Sequence, residues 1–307
     1  MGSIHRELLE EWDWVMRAGD LAEHSRVVYL RGATQFVEWL ETAHPDIHEP
    51  AHVKVRHALA WAEHLKVERR LAKSTRQLRL ISVSLWWKYM LGEADSGVTA
   101  DPWRQVERPR PDQTPPATIP DDELRALIRT CGPDLIGRRD EAIIRLLLDT
   151  GMREGELVGI DLADLNLGRM EVTVTGKTGT RIVPFGNRTA VALRKYMRAR
   201  ASRPYAEAPA LFQPSQLSRT GSCRLNAKSV WSMIDRRCRY AGIPHRWPHQ
   251  LRHTWADDLL THGAQEGDLE RLGGWSPGSH MVKHYGSARA DARARDRART
   301  LSRGDRV

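Results

Sequence analysis

His249 and Arg252 stand three residues apart in Pro248-His249-Gln250-Leu251-Arg252-His253-Thr254-Trp255-Ala256. On a helix that spacing brings an imidazole and a guanidinium onto one face about one turn apart. Such a pair can grip one anion, and the planar arginine fork matches the geometry of a phosphate. Read together with this stretch are Trp275, an indole N–H donor, and Tyr285, a phenol placed to react with whatever is held. Tyr285 is the only tyrosine after Tyr240, so it has no nearby competitor as a nucleophile. Upstream, Arg153 has a carboxylate three residues on, Glu156. Lys177 stands alone in the polar turn Gly176-Lys177-Thr178-Gly179. Taken singly, each has a plainer reading: a helix-cap arginine with a local ion-pair partner, a turn lysine, a core tryptophan, a buried tyrosine with a polar tip. His249 and His253, four apart, raise the question of a metal, but no HExxH pattern and no third ligand accompany them, so no metal site is expected.

The elements that must position these residues follow from periodicity. Residues 1 to about 18 read as a short polar helix with Trp12 and Trp14. Apolar residues at helical spacing predict helices from Asp20 to Thr42, from Ala51 to Val67, and from Lys73 to Leu91 with Leu78, Ile81, Leu85, Trp86 and Tyr89 inward and Gly92 as the stop. Together they predict a small helical bundle. Lys73, Thr75, Arg76 and Arg79 open its last helix, as a solvated face or as the basic, hydroxyl-bearing end of a DNA-reading helix. From Asp101 to Pro120 six prolines predict an extended connector and a domain boundary near residue 110.

Beyond it, Thr118 is expected to cap a helix that opens on Pro120-Asp121-Asp122-Glu123. A core helix over Gly137 to Thr150 ends at Gly151, and Met152 to Leu157 reads as a charged turn against it. From Asp164 the period changes to two, so Met170 to Thr175 and Arg181 to Phe185 predict a small antiparallel sheet with Lys177 at the hairpin tip. Helices resume over Asn187 to Arg200, Ala227 to Ala241, Pro248 to Thr261 and Gln265 to Leu272. The fold class is mainly α, with a helical bundle over 1–108, a Pro-rich linker over 109–119, and an α+β domain over 120–307 ending in an Arg-rich tail.

With 307 residues the chain is long enough for two cores. A formal charge of +9 and a pI near 9.8 favour a polyanionic partner, most simply nucleic acid. Cys131, Cys223 and Cys238 are widely spaced and odd in number, which excludes a disulfide framework and a zinc ribbon and favours a reducing compartment. The N-terminus, with Glu7, Glu10 and Glu11, does not read as a signal peptide, and no apolar run is long enough for a membrane span. A cytoplasmic protein is expected.

These motifs resemble the tyrosine recombinases, or phage integrases. Thr150-Gly151-Met152-Arg153-Glu154-Gly155-Glu156-Leu157 is similar to that family's first arginine motif, and Gly176 to Pro184 to its catalytic lysine hairpin. His249-Gln250-Leu251-Arg252 resembles the second arginine motif, Leu272-Gly273-Gly274-Trp275-Ser276 the His/Trp position, and Tyr285 the nucleophile. The order agrees across residues 118 to 286, although the gap from Trp275 to Tyr285 is one residue longer than the family's usual spacing. The resemblance implies an N-terminal SAM-like core-binding bundle and a catalytic domain of the DNA breaking-rejoining fold. It implies site-specific recombination of double-stranded DNA through a 3′-phosphotyrosyl intermediate, with no cofactor, metal or ATP, by a protein that is a monomer when free and a homo-tetramer on its synapsed sites. Arg153, Lys177, His249, Arg252, Trp275 and Tyr285 would be catalytic, Glu156 supporting, and Lys73, Thr75, Arg76 and Arg79 DNA-binding. The stretch before the bundle is too short for the arm-binding domain some integrases carry, which implies simple inverted-repeat sites. Two rivals share some of these residues: a catalytically silent DNA-binding regulator of the same fold, and a metal-dependent nuclease built on the histidines and aspartates near His249.

Overall fold

A computed structural model describes residues 4–93, 96–111, 117–217, 221–279, 290–300 and 302–306. The chain divides into two compact units, Met1–Gln113 and Thr114–Val307.

The first unit consists of α1 (Ile4–Ala18), α2 (Glu23–Ala43), α3 (Val55–Val67) and α4 (Lys73–Gly92), with short 3-10 turns at Pro50–His52 and Pro102–Gln105. Its core is aromatic. Phe36 packs edge-on against Trp103 at 4.9 Å and against Trp61 at 5.8 Å, and Trp86 and Trp87 fill the space beside them. The helices α2 and α4 approach so closely at Gly32 that a Cβ there would lie 2.4 Å from the Ser82 side chain. Two expectations are corrected here. On α4 the buried face is Leu80, Val83, Trp86, Trp87 and Met90, while Leu78, Ile81 and Tyr89 are only half-buried and Leu85 is exposed. Burying two adjacent indoles takes about 100° of helix surface, and the inward stripe turns to accommodate both. The Asp101 to Pro120 stretch is not extended throughout. Asp101 Oδ1 accepts the Trp103 N–H at 2.9 Å, a 3-10 turn follows, and Trp103 and Val106 enter the core. An indole buried this deeply outweighs the stiffness of the neighbouring prolines.

The second unit contains α5 (Asp121–Arg129), α6 (Leu135–Thr150), α7 (Glu154–Gly159), a three-stranded antiparallel sheet of β1 (Leu165–Asn166), β2 (Glu171–Gly176) and β3 (Gly179–Pro184), and then α8 (Asn187–Arg200), α9 (Ala227–Ala241), α10 (Pro248–Thr261), α11 (Glu266–Gly273) and α12 (Ala290–Thr300). The mainly helical fold with one small sheet is as expected. Thr118 does not cap α5, whose N-cap is Pro120 with no side-chain bond. The charged segment after α6 is a helix rather than a turn, because the Glu156 carboxylate reaches back to the Arg153 N–H at 2.9 Å.

Helix α6 is the axis of this unit. Asp134 Oδ1 accepts the Gly137 N–H at its start, and its inner face buries Ala142, Ile143, Leu146 and Leu147. It stops at Gly151, which adopts φ +57 where only glycine is at ease; a Cβ there would also lie 2.0 Å from the Trp255 ring of α10. That close approach sets α10 against the end of α6. The sheet pairs Val172 with Val183 and Gly176 with Gly179, so a two-residue loop, Lys177-Thr178, projects from the hairpin.

Candidate active site

Three of the expected catalytic residues line one open hollow. Arg153, Lys177 and His249 surround it together with Glu154, Gly155, Glu156, Thr175 and Gly176. They arrive there from the start of α7, the β2–β3 loop and the first turn of α10.

Arg153 is the N-cap of α7. Its Nη1 donates to Glu156 Oε1 at 3.0 Å, and Nη1 and Nη2 lean on the Gly274 carbonyl at 3.5 and 3.4 Å. With 38% of its side chain exposed, the guanidinium is oriented yet still able to meet a ligand. Glu156 is buried. Burial raises its pKa, but hydrogen bonds from Arg181 and from the Arg153 N–H, with the charges of both arginines, outweigh that and hold it below the usual carboxylate range. It is therefore an anion at neutral pH, bonded to both the side chain and the N–H of Arg153.

Arg252 does not line the hollow. It is buried, 1% exposed, one helical turn after His249, where Nη1 donates to the Gly151 carbonyl at 2.5 Å and Nη2 to the Gly273 carbonyl at 2.7 Å. Its guanidinium lies 3.8 Å above the Trp275 ring, which itself stacks on Trp255. Trp275, whose indole N–H is expected to donate a hydrogen bond to the phosphate, supports the guanidinium through its ring face. The bare Gly273 lets the indole lie flat, since a Cβ there would fall 2.1 Å from it.

His249 projects from the second helical position of α10, after Pro248. Loss of water around the ring lowers its pKa first, and the charges of Arg252 and Arg153 lower it further against a smaller pull from Glu154. The imidazole is neutral at pH 7, a state able to accept a proton. Its ring meets His253 edge-on at 4.6 Å, and among the described residues no group of three or more His, Cys, Asp or Glu could hold a metal ion. Lys177 is exposed at the hairpin tip, beside Thr178, whose hydroxyl donates to the Gly274 carbonyl at 3.1 Å. Tyr285 lies outside the described residues.

In the first unit, Lys73 is exposed, while Thr75, Arg76 and Arg79 are half-buried at the start of α4. The Nε atoms of Arg76 and Arg79 are buried without a hydrogen-bond partner. Burial lowers the Arg79 pKa, and the charges of Arg31 and Arg69 lower it further. These arginines are not an ordinary solvated face; positive charge is gathered there.

One participant was missed by sequence reasoning. Arg181 on β3 donates from Nη1 and Nη2 to the two Glu156 oxygens at 3.0 and 2.7 Å and from Nε to the Leu272 carbonyl at 2.7 Å. The signal for it was present: Arg181 lies two residues before buried Val183, on the same face of the strand.

Comparison with known proteins gives the family. The phage integrase family matches residues 117–291, and the N-terminal SAM-like domain of phage integrases matches residues 8–94. The chain belongs to the phage integrase family and is a site-specific recombinase of the tyrosine type. It is 30% identical to tyrosine recombinase XerC of Pelobacter propionicus over 86% of this chain and 85% of that one. It is 29% identical to tyrosine recombinase XerD of Pseudomonas putida over 94% and 96%. Among solved structures, the Tn1549 transposon integrase in complex with transposon right end DNA shares the fold with a TM-score of 0.73 at 18% identity, over 96% of this chain and 99% of that one. Among the described residues no helix is long and apolar enough to cross a membrane.

Proposed function

We propose that this recombinase exchanges strands of double-stranded DNA by transferring each scissile phosphate onto Tyr285 and back. Tyr285 Oη attacks phosphorus as the bond to the 5′-oxygen breaks, giving a 3′-phosphotyrosyl ester and a free 5′-hydroxyl. The 5′-hydroxyl of a partner strand then attacks the ester and releases the tyrosine. The ester keeps the phosphodiester's free energy, so no ATP is needed. Arg153 and Arg252 hold the non-bridging oxygens as negative charge grows on them. Neutral His249 takes the phenol proton, and Lys177 protonates the leaving 5′-oxygen. Trp275 keeps the Arg252 fork flat, and Glu156 aims Arg153. No step calls for a metal or cofactor.

The observation that carries this reading is that Arg153, Lys177 and His249, distant in sequence, share one hollow, with the Arg252 charge felt at His249. Exchange between two duplexes requires four cut strands, hence four nucleophiles and a tetramer on the synapsed sites, assembled from monomers in the cytoplasm. Residues 1–108 grip the core DNA through Lys73, Thr75, Arg76 and Arg79, the segment 109–119 links them to the catalytic domain 120–307, and binding weakens steeply with salt.

A suicide duplex, nicked so that the fragment bearing the 5′-hydroxyl diffuses away, tests the reaction. Expected is a covalent protein–DNA adduct that survives denaturation, forms equally well with chelator, and maps to the peptide containing Tyr285. Nicks without an adduct, or cleavage abolished by chelator, would remove the proposal.

The His249 pKa gives a pH dependence. A ring whose pKa lies below the ordinary 6.5 is neutral above that value and becomes protonated, useless as a base, only below it. At sub-saturating DNA the rate reports the free enzyme. It should be level from about pH 7.5 to 8 on the His249 account, with its acid limb centred below 6.5 and falling about tenfold per unit beyond that. An acid limb centred above 6.5 would show that some other group takes the proton.

A further inference from the structure

We propose that Arg181 is a positioning residue for strand cleavage, holding the Arg153 guanidinium and the Gly273–Trp275 segment in the geometry that receives the phosphate. This rests on the reaction proposed above, in which Arg153 and Arg252 clamp the phosphate.

The argument begins with Glu156. Its carboxylate is 4% exposed and accepts four bonds: from the Arg153 side chain at 3.0 Å, the Arg153 N–H at 2.9 Å, and Arg181 Nη1 and Nη2 at 3.0 and 2.7 Å. Facing one arginine alone, a buried carboxylate draws that guanidinium into a closed pair and cancels its charge. Arg181 takes the bidentate position itself, so one net positive charge remains across the three groups and the Arg153 guanidinium meets Glu156 through a single nitrogen, Nη1. Part of the Arg153 fork stays turned toward the Gly274 carbonyl and the hollow.

The third bond of Arg181 reaches the second arginine. Its Nε donates to the Leu272 carbonyl at 2.7 Å, and the next carbonyl, of Gly273, accepts from Arg252 at 2.7 Å. Gly274 follows, its carbonyl shared by Arg153 and Thr178, and then Trp275 under the Arg252 guanidinium. One side chain, 10% exposed, on the strand that carries the Lys177 hairpin thereby fixes both phosphate-holding arginines. The backbone leaves room for it at two places. A Cβ on Gly274 would lie 2.7 Å from Arg181 Nη1, and one on Gly176 would lie 2.3 Å from Glu156 Oε1.

The test uses the full-length protein, single-turnover cleavage at saturating DNA, and two suicide substrates. One has the ordinary phosphodiester; the other has sulfur in place of the bridging 5′-oxygen. A thiolate leaves without being protonated, so the sulfur substrate restores variants defective in the general acid, such as Lys177→Ala. Arg181→Lys keeps the charge but cannot bond both carboxylate oxygens and the Leu272 carbonyl at once. It should cleave both substrates about 100-fold more slowly than wild type, the cost of misplacing a reacting group by about 1 Å. The paired variant Arg181→Met with Glu156→Met removes both buried charges at similar volume, so it should keep the wild-type melting midpoint and still cleave slowly. Restoration of Arg181→Lys by sulfur, a rate within threefold of wild type, or full activity in the paired variant would overturn the assignment. Absence of any Tyr285 adduct in the wild type would instead overturn the phosphotyrosyl reaction on which it rests.

Discussion

Replacing Arg252 with lysine is expected to lower the rate of strand cleavage by about 100- to 1000-fold, the loss seen when one fixed donor to a developing oxyanion is removed, while leaving DNA affinity almost unchanged. The substitution keeps the positive charge, so any loss reports geometry. Arg252 is 1% exposed and is held in a plane by three contacts: the carbonyls of Gly151 and Gly273 at 2.5 and 2.7 Å and the Trp275 face at 3.8 Å. A lysine offers one tetrahedral ammonium that cannot satisfy both carbonyls and still face a phosphate. One buried carbonyl left unpaired costs roughly 1–3 kcal/mol, so rates belong well below the melting transition, on protein shown to bind the site. A cleavage rate within tenfold of wild type at saturating DNA would mean that the guanidinium is structural and that other groups carry the phosphate charge.

The second large effect falls on stability. Asp140 of α6 is fully buried and accepts from three arginines: Arg139 Nε and Nη2 at 3.1 and 2.8 Å, Arg237 Nε and Nη2 at 3.0 and 2.7 Å, and Arg236 Nη2 at 3.2 Å. The same arginines extend the tie. Arg139 Nη1 donates to the Gln213 carbonyl and Arg237 Nη1 to that of Thr130, so one carboxylate joins α6, α9, the end of α5 and the segment after Phe212. Arg139 and Arg237 have side chains only 7% and 8% exposed, so Asp140→Asn strands two guanidinium charges without a counter-ion. Arg236, 35% exposed, is screened by water and adds little. Breaking a buried pair in this way costs about 3–5 kcal/mol. For a unit of this size that lowers the melting midpoint by roughly 6 to 20 °C. Calorimetry should show the transition of Thr114–Val307 moving and that of Met1–Gln113 staying in place. A loss under 1 kcal/mol would show that solvent reaches these charges.

Much of this was legible in the order of residues. Helical periodicity located α2, α3, α6, α8, α9 and α10, because a helix that buries one face must repeat apolar residues every three to four positions. The switch to alternation after Asp164 located β2 and β3, and the lone Lys177 between two glycines located their loop. Failures came where long-range packing chooses among local options. Which stripe of α4 turns inward depended on two indoles finding room beside Phe36, and Trp103 left the proline stretch for the same core. Helix α7 was read as a turn because its stability comes from Glu156 bonding back to its own start and to Arg181, 25 residues away.

The same division runs through the site. Residue types and their order determined which groups were candidates, since a phosphate calls for arginine forks, a proton donor and a neutral imidazole, and these stand in fixed positions along the chain. Only the tertiary structure decided what each one faces. It put Arg252 inside the protein on two carbonyls, laid the Trp275 ring against its guanidinium, and brought in Arg181, whose place on the inner face of the strand did not reveal its three bonds to Glu156 and the Leu272 carbonyl. The physical reason is that side-chain chemistry is local, whereas burial and charge pairing depend on distances that exist only after the chain has closed on itself.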